Sequence, residues 1–583
     1  MTIDPIKCDE VFGNFGDYLP PDPKNRPQIK QTTDEYEAIE QSLLAIGKHS
    51  EVYQRGGKLV HITSVSESRT IERKGAPVIQ SVSRALLRTW LTEVGAFYTY
   101  NKTEEGWRPS HPQDWLVDGI HARGGYPETI RPLKAIVDNP YLRPDGSVCT
   151  ESGYDSTLGI YCTNITSLTL SEAPTQDDAR RGLAALLDLI DDFPFIAPTD
   201  RAVWITFVLT LLSRFAFVGP APMFFFDAST RGTGKGLLVD AASQIVFGRE
   251  IPCMPPTDEE SEMRKRITSI ALAGDRVILF DNVVGTFGGA AIDAALTAVV
   301  WQDRKLGVSE NVSLPLYTVW SATGNNVQFR GDFVRRVLLS RMISELERPE
   351  TRDDFKYSKL LDHITANRKA LLEAAFTILR AYYLAGKPNL KLTRFGKFEG
   401  WSDLVRGAVV WAGGADPFET KAEAEKRDPS TELVPAMLRA IKALCDEELK
   451  KKSLTAKDIL RLYWIGQHPC ENAKNNTCAA ETLREVIEEL SPGRVDGTLP
   501  NAKQLGRLFD KHRDRNFGGF VLTHHISAGN RRWYVKAAPT AATPPAKNGA
   551  AEISPEALRE LESTRGLIEK FKHLKGSEHH GQA

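Results

Sequence analysis

The stretch from Met223 to Arg249, MFFFDASTRGTGKGLLVDAASQIVFGR, constrains the fold more than any other part of the chain. Met223 to Phe226 are bulky and apolar in succession, the pattern of a short strand buried on both faces, and Leu237 to Phe247 place apolar residues at helical spacing. The loop between them holds Gly232, Gly234 and Gly236. Glycines let backbone N–H groups turn inward around an anion, and the following helix adds the positive end of its dipole. Lys235 stands where it reaches the outer phosphates of a nucleotide. The predicted nucleotide-binding segment is therefore Ser229, Thr230, Arg231, Gly232, Thr233, Gly234, Lys235 and Gly236. It departs twice from the GxxxxGK[ST] pattern: Ser229 replaces the first glycine, and Gly236 replaces the Ser or Thr whose hydroxyl ligates magnesium. The second departure leaves the metal to water, phosphate oxygens and a carboxylate elsewhere.

Three further elements follow in order. Arg276-Val-Ile-Leu-Phe-Asp281-Asn282 reads as a central parallel strand whose tip presents Asp281 beside the phosphates, where it holds magnesium through water. Asn282 occupies the position of the usual Glu or Asp general base. An amide cannot take a proton from water, so either another carboxylate serves or hydrolysis is slow. A third strand, Leu316 to Ala322, runs into Thr323-Gly324-Asn325-Asn326, whose amides suit either a lytic water or plain turn chemistry. Arg335 and Arg336 follow in GDFVRRVLLSRM. Each reads either as an arginine that neutralises charge developing in phosphoryl transfer or as half of a surface ion pair.

The order GTGKG, VILFDN, TGNN and RRVLLSR, spread over about 110 residues, resembles AAA+ ATPases. Within them it is similar to superfamily 3 helicases, the primase-helicase and helicase-like replication proteins of phages, plasmids and integrated elements. The resemblance covers residues 175 to 430 well and the flanks weakly. It implies an α/β P-loop core that binds ATP and Mg2+, with Asn325 as the sensor and Asn326 as the alternative. Arg335 or Arg336 would be the finger that completes a neighbour's site, which implies a homo-oligomeric ring, expected to be a hexamer. The resemblance also makes Trp301 to Pro315 a hairpin projecting into a central pore, with Arg304 and Lys305 on the phosphates of single-stranded DNA. A solvated hairpin is the alternative.

The flanks set the wider organisation. At 583 residues, with 41% hydrophobic and 26% charged content, the chain has room for roughly three to five domains. We divide it into a flexible segment (1–30), an α+β N-terminal domain (31–172), a helical collar (173–218), the AAA+ core (219–345), a helical lid (346–430), a winged-helix-like domain (431–537), and a linker with a terminal helix (538–583). In the N-terminal domain Asp34 to Ile46 and Val78 to Leu91 read as helices, and Glu51 to Gln54 with Lys58 to Thr63 read as a hairpin. In the lid, Arg406 reads as a second nucleotide sensor or a structural ion pair. The net charge of −1 means that nucleic-acid binding has to come from local patches. One such patch lies in the winged-helix-like domain, where Lys503, Arg507, Lys511, Arg531 and Arg532 are the candidates for duplex DNA.

The seven cysteines form no CxxC pair, and His468, Cys470 and Cys478 fit no zinc module, so free thiols are expected. The N-terminus has no basic and apolar leader, and Ala202 to Ser213, the longest apolar run, is too short to span a bilayer. A soluble, cytoplasmic protein with no membrane partner is expected. The expected activity is an ATP-dependent DNA helicase or translocase used in replication of a mobile element. The alternative is a DNA-binding initiator or switch that binds nucleotide and hydrolyses it poorly, which Gly236 and Asn282 favour. A remodeller of proteins is weakened by the basic C-terminal patch. No primase signature is visible, so a priming enzyme would be a separate chain.

Overall fold

The computed structural model of the chain describes residue 19 and residues 22–64, 77–163, 166–304, 311–346, 348–448, 452–464, 479–490 and 500–538. Contacts divide it into two units, Met1–Glu432 and Leu433–Ala583.

The first unit is built on Met223–Ala228 (β1), which is buried throughout. Successive side chains of a strand point to opposite faces, so the apolar run feeds two cores: Phe224, Phe226 and Ala228 enter one, Met223 and Phe225 the other. Cys253–Met254 (β2), Val277–Val283 (β3), Val319–Asn325 (β4) and Val337–Met342 (β5) complete a parallel sheet in the order β2-β3-β4-β1-β5. The same parity recurs in β3, with Val277 and Leu279 on one face and Ile278 and Phe280 on the other. β4 starts three residues later than predicted, so that Asn325 lies at the strand tip and not in a following turn.

Helices Gln176–Asp188 (α1), Pro198–Ser213 (α2), Lys235–Phe247 (α3), Glu260–Ala273 (α4) and Leu360–Leu384 (α5) surround this sheet. α2 is apolar all round because it is enclosed between the sheet and other helices. The hydroxyls of Thr206, Thr210 and Ser213 donate to carbonyls of the preceding turn at 2.9, 2.5 and 2.7 Å, which satisfies them without water. α1 meets α5 at Gly182, where a Cβ would stand 2.7 Å from the Ala374 carbonyl oxygen. The helices before and after the sheet therefore share one core on one face of it.

The N-terminal part of this unit carries three three-stranded sheets: Gln28–Gln31 with Ala96–Asn101 and Gly106–Ser110, Tyr53–Arg55 with Lys58–Ser64 and Pro77–Ser81, and Ala135–Val137 with Ile160–Cys162 and Gly153–Asp155; Tyr141–Leu142 and Val148–Cys149 add a two-stranded pair. The single helix predicted over Val78 to Leu91 is instead a strand, Pro77–Ser81, followed by a helix, Arg84–Val94. Val78 and Ile79 pair with Thr63 and Ile62, and Ser83 caps the helix by accepting from the Leu86 N–H at 3.2 Å. Arginines join this part to the sheet and its helices: Arg249 pairs with Asp138 at 2.7 Å, Arg276 donates to Asn139 Oδ1, and Arg55 donates to the Ala271 carbonyl on α4 at 2.7 Å.

In the second unit, helices Ser430–Ala443, Ala456–Trp464, Ala479–Leu490 and Ala502–His512 share a core with an antiparallel sheet. Its four strands, Leu454–Thr455, Asn530–Ala537, Phe520–Ser527 and Asn516–Phe517, lie in that order. The predicted terminal helix, His468, Cys470, Cys478 and Lys305 lie outside the described residues. Among the described residues no helix is long and apolar enough to cross a membrane.

Candidate functional site

The C-terminal edge of the parallel sheet gathers the motif residues. β1 ends at Ala228, and the loop from Ser229 to Gly234 returns through two left-handed residues, Gly232 (φ 77°) and Gly234 (φ 87°), into α3. A Cβ at Gly234 would stand 2.8 Å from the Phe193 ring, so packing and backbone both require glycine there. Lys235 Nζ donates to Asn325 Oδ1 at 2.8 Å, and to the Thr230 carbonyl and Thr233 Oγ1 at 3.2 Å each. Burial pulls the Lys235 ammonium down from its usual pKa, against the opposing pull of Asp227 and Asp281. Ser229 Oγ and Thr230 Oγ1 are buried without a hydrogen-bond partner. A loop with unpartnered hydroxyls and a half-buried ammonium fits a polyanion.

Asp281 and Asn282 form a bulge. The β3–β4 register shifts between Phe280 and Val283, Asn282 adopts φ 55°, and both side chains emerge at the exposed edge of an otherwise buried strand. Thr323, one strand away, holds this bulge: its hydroxyl donates to Asp281 Oδ1 at 2.5 Å and accepts from the Asn282 N–H at 2.9 Å. Asp240, on α3, is half-buried. Burial, together with the charges of Glu250 and Asp281, pushes its carboxyl up to about 6. Among the described residues no three His, Cys, Asp or Glu side chains form a metal cage. A magnesium ion fits here only in its usual mode, with one or two carboxylates, phosphate oxygens and water.

The two asparagines after β4 separate in role. Asn325 bonds Lys235, whereas Asn326, with φ 48°, is built into the frame. Its side chain donates to the Ser229 carbonyl at 3.1 Å and accepts from Arg341 at 2.9 Å. Arg341 also pairs with Asp227, which is 1% exposed and lies 3.6 Å from Arg427. Burial raises the Asp227 carboxyl against these arginines. Sequence reasoning missed Thr323, Asp227, Asp240 and Arg341; Asp227 carried a signal as the one charge inside the apolar β1, and Asp240 as the carboxylate four residues after Gly236 on α3.

Arg335 and Arg336 sit at the other edge of the sheet. They precede Val337, which is in register with Met223, whereas Met342 is in register with Ala228 at the loop end. At about 3.3 Å per residue this separates them from their own glycine loop by roughly 20 Å. Arg336 is held by Asp293 at 2.7 Å and lies 3.5 Å from Asp332. Arg335 is exposed and makes no ion pair among the described residues. Arg406 is fully buried and forked onto Asp416 at 2.7 and 2.6 Å, with a further bond to the Thr393 carbonyl at 2.6 Å, so it is a structural ion pair.

The hairpin of Val300–Arg304 and Asn311–Pro315 is antiparallel, with Arg304 opposite Asn311. Its base rests on α4 through Trp301 Nε1 to Thr268 Oγ1 (2.9 Å) and Asp303 to Arg264 (2.5 Å). In the second unit Lys503, Arg507 and Lys511 are exposed along one face of the helix Ala502–His512, opposite buried Leu505, Phe509 and His512. Arg531 is paired with Asp510 at 2.5 Å, and Arg532 donates to Ser453.

No family model and no curated protein matches the chain. Among solved structures it is similar to the C-terminal region of NrS-1 in its apo form, with 13% identity over 78% of this chain and 99% of that one, at a TM-score of 0.30. It is also similar to JCV helicase, with 12% identity, 44% and 65% coverage and a TM-score of 0.20. The SCCmec type IV Cch helicase shows 9% identity, 83% and 92% coverage and a TM-score of 0.30. Overlaps this loose carry no argument about the chain.

Proposed function

We propose that the protein is an ATP-driven DNA helicase or translocase of the AAA+ superfamily 3 type, acting in the replication of a phage, plasmid or integrated element. The hydrogen bond of 2.8 Å from Lys235 to Asn325 carries this reading, because it joins the glycine loop to the tip of the strand that neighbours Asp281. Lys235 would bind the β and γ phosphates, with Thr230 to Gly236 wrapped around them. Asp281, fixed by Thr323, would hold magnesium through water, and Asn325 would orient the lytic water. Magnesium, when bound, neutralises charge on the β and γ oxygens.

Arg335, exposed and remote from its own loop, is the finger in this reading and serves the site of a neighbouring copy, which requires a ring. A hexamer is the ring size we favour. Arg304 and Lys305 would follow single-stranded DNA in the pore. The stripe of Lys503, Arg507 and Lys511 supports a winged-helix-like module on duplex phosphates. A nucleotide-dependent DNA-binding switch is the second reading, favoured by the amide of Asn282 at the general-base position.

ATP hydrolysis with and without single-stranded DNA separates the two. Turnover that DNA stimulates and Lys235→Ala abolishes supports the motor. Nucleotide binding with no turnover in either condition makes the protein a switch.

A further inference from the structure

Gly236 lacks the hydroxyl that the magnesium chemistry of such loops uses, yet nothing in the fold forbids one. A Cβ built on Gly236 meets no atom within 4 Å, so the space stands open. The next position on the same face of α3 is Asp240, four residues on. Helical side chains lean toward the N-terminus, which carries the Asp240 carboxylate back over the turn that Gly236 leaves bare. Asp240 is half-buried, and among the described residues its side chain makes no hydrogen bond or ion pair. The charges that act on it belong to Glu250 and Asp281, both carboxylates. A half-buried carboxylate with no hydrogen-bond or ion-pair partner among the described residues is a group that a cation would satisfy. The hydroxyls of Ser229 and Thr230, buried and without a hydrogen-bond partner, lie in the loop that leads into α3.

We propose that Asp240 is a magnesium ligand, direct or through one water, that takes the place of the hydroxyl absent at Gly236 and works with Asp281, the phosphate oxygens and water. This rests on the nucleotide-site reading and names the residue that makes the departure at Gly236 workable.

The test measures binding, not turnover. Affinity for a fluorescent ATP analogue is taken in EDTA and in Mg2+, and Mn2+ binding to the protein–nucleotide complex is followed by electron paramagnetic resonance. Asp240→Asn is expected to bind the analogue in EDTA at least as tightly as wild type, because a repulsive carboxylate near the polyphosphate is gone. It is expected to lose the gain in affinity that Mg2+ gives and to bind Mn2+ about 10- to 100-fold more weakly. Adding Gly236→Thr to Asp240→Asn should restore Mn2+ affinity, since the open space accepts the side chain. Unchanged Mn2+ affinity in Asp240→Asn, beside normal nucleotide binding, overturns this proposal alone. A wild-type protein that binds no analogue in either condition overturns the nucleotide site as well.

Discussion

Arg406 separates a structural arginine from a nucleotide sensor by stability alone. Its guanidinium is fully buried, forked onto Asp416, and bonded to the Thr393 carbonyl and to Ser402 Oγ at 3.2 Å. Arg406→Ala removes all four bonds and leaves the Asp416 carboxylate, whose side chain is 18% exposed, without its partner. Breaking a buried pair from one side costs about 3–5 kcal/mol. The unit that contains it spans Met1–Glu432, for which an unfolding entropy of about 2.1 cal/mol/K per residue gives roughly 0.9 kcal/mol/K. The melting temperature should therefore fall by about 3–6 °C in differential scanning calorimetry. Nucleotide affinity, measured well below the transition, should stay at the wild-type value. A melting temperature within a degree of wild type, or nucleotide binding lost without loss of stability, would refute the structural assignment.

Three further outcomes follow from the same contacts. Asn325→Ala should lower turnover by about 100- to 1000-fold with little effect on melting, whereas Asn326→Ala, which strips bonds from Arg341 and the Ser229 carbonyl, should cost about 1–3 kcal/mol of stability. Lys421 is buried and donates to the Val334 carbonyl, and burial pulls its pKa from 10.5 to about 8. Its folded form holds the proton less tightly than its unfolded form, so wild type should gain on Lys421→Met by about 2–3 kcal/mol in urea denaturation as pH rises from 7 to 10.5. Replacing Lys503, Arg507 and Lys511 with Ala should reduce the slope of log K against log salt for duplex DNA by about 3, one phosphate contact each.

The fold was legible where pattern and packing agree. An unbroken apolar run such as MFFF needs cover on both faces, which made β1 central, and the run ending at Asp281 was legible for the same reason. Boundaries failed where a capping residue outweighed periodicity, as at Ser83, which splits one expected helix into a strand and a helix. In the candidate site, Lys235, Asp281 and Asn325 could be picked out as candidates because each stands near a strand tip or opens a helix. Thr323 and Arg341 could not: their parts depend on which strands lie side by side and on a bulge between Phe280 and Val283, and neither leaves a local mark in sequence. Which of Arg335 and Arg336 is held in an ion pair likewise depended on a distant residue, Asp293, which pairs with Arg336.

The central claim is a nucleotide site completed by a neighbouring copy, and complementation between two inactive variants tests it most directly. Lys235→Ala removes the ammonium proposed to bind the phosphates, which here bonds Asn325, and Arg335→Ala removes the proposed finger at the opposite edge of the sheet. Each variant alone should hydrolyse ATP at a small fraction of the wild-type rate in the presence of single-stranded DNA. Co-assembled in equal amounts, they should recover up to about a quarter of wild-type activity, since one interface in four then joins an intact Lys235 to an intact Arg335. Full activity in Arg335→Ala alone, or no recovery in the mixed assemblies, would contradict a shared site.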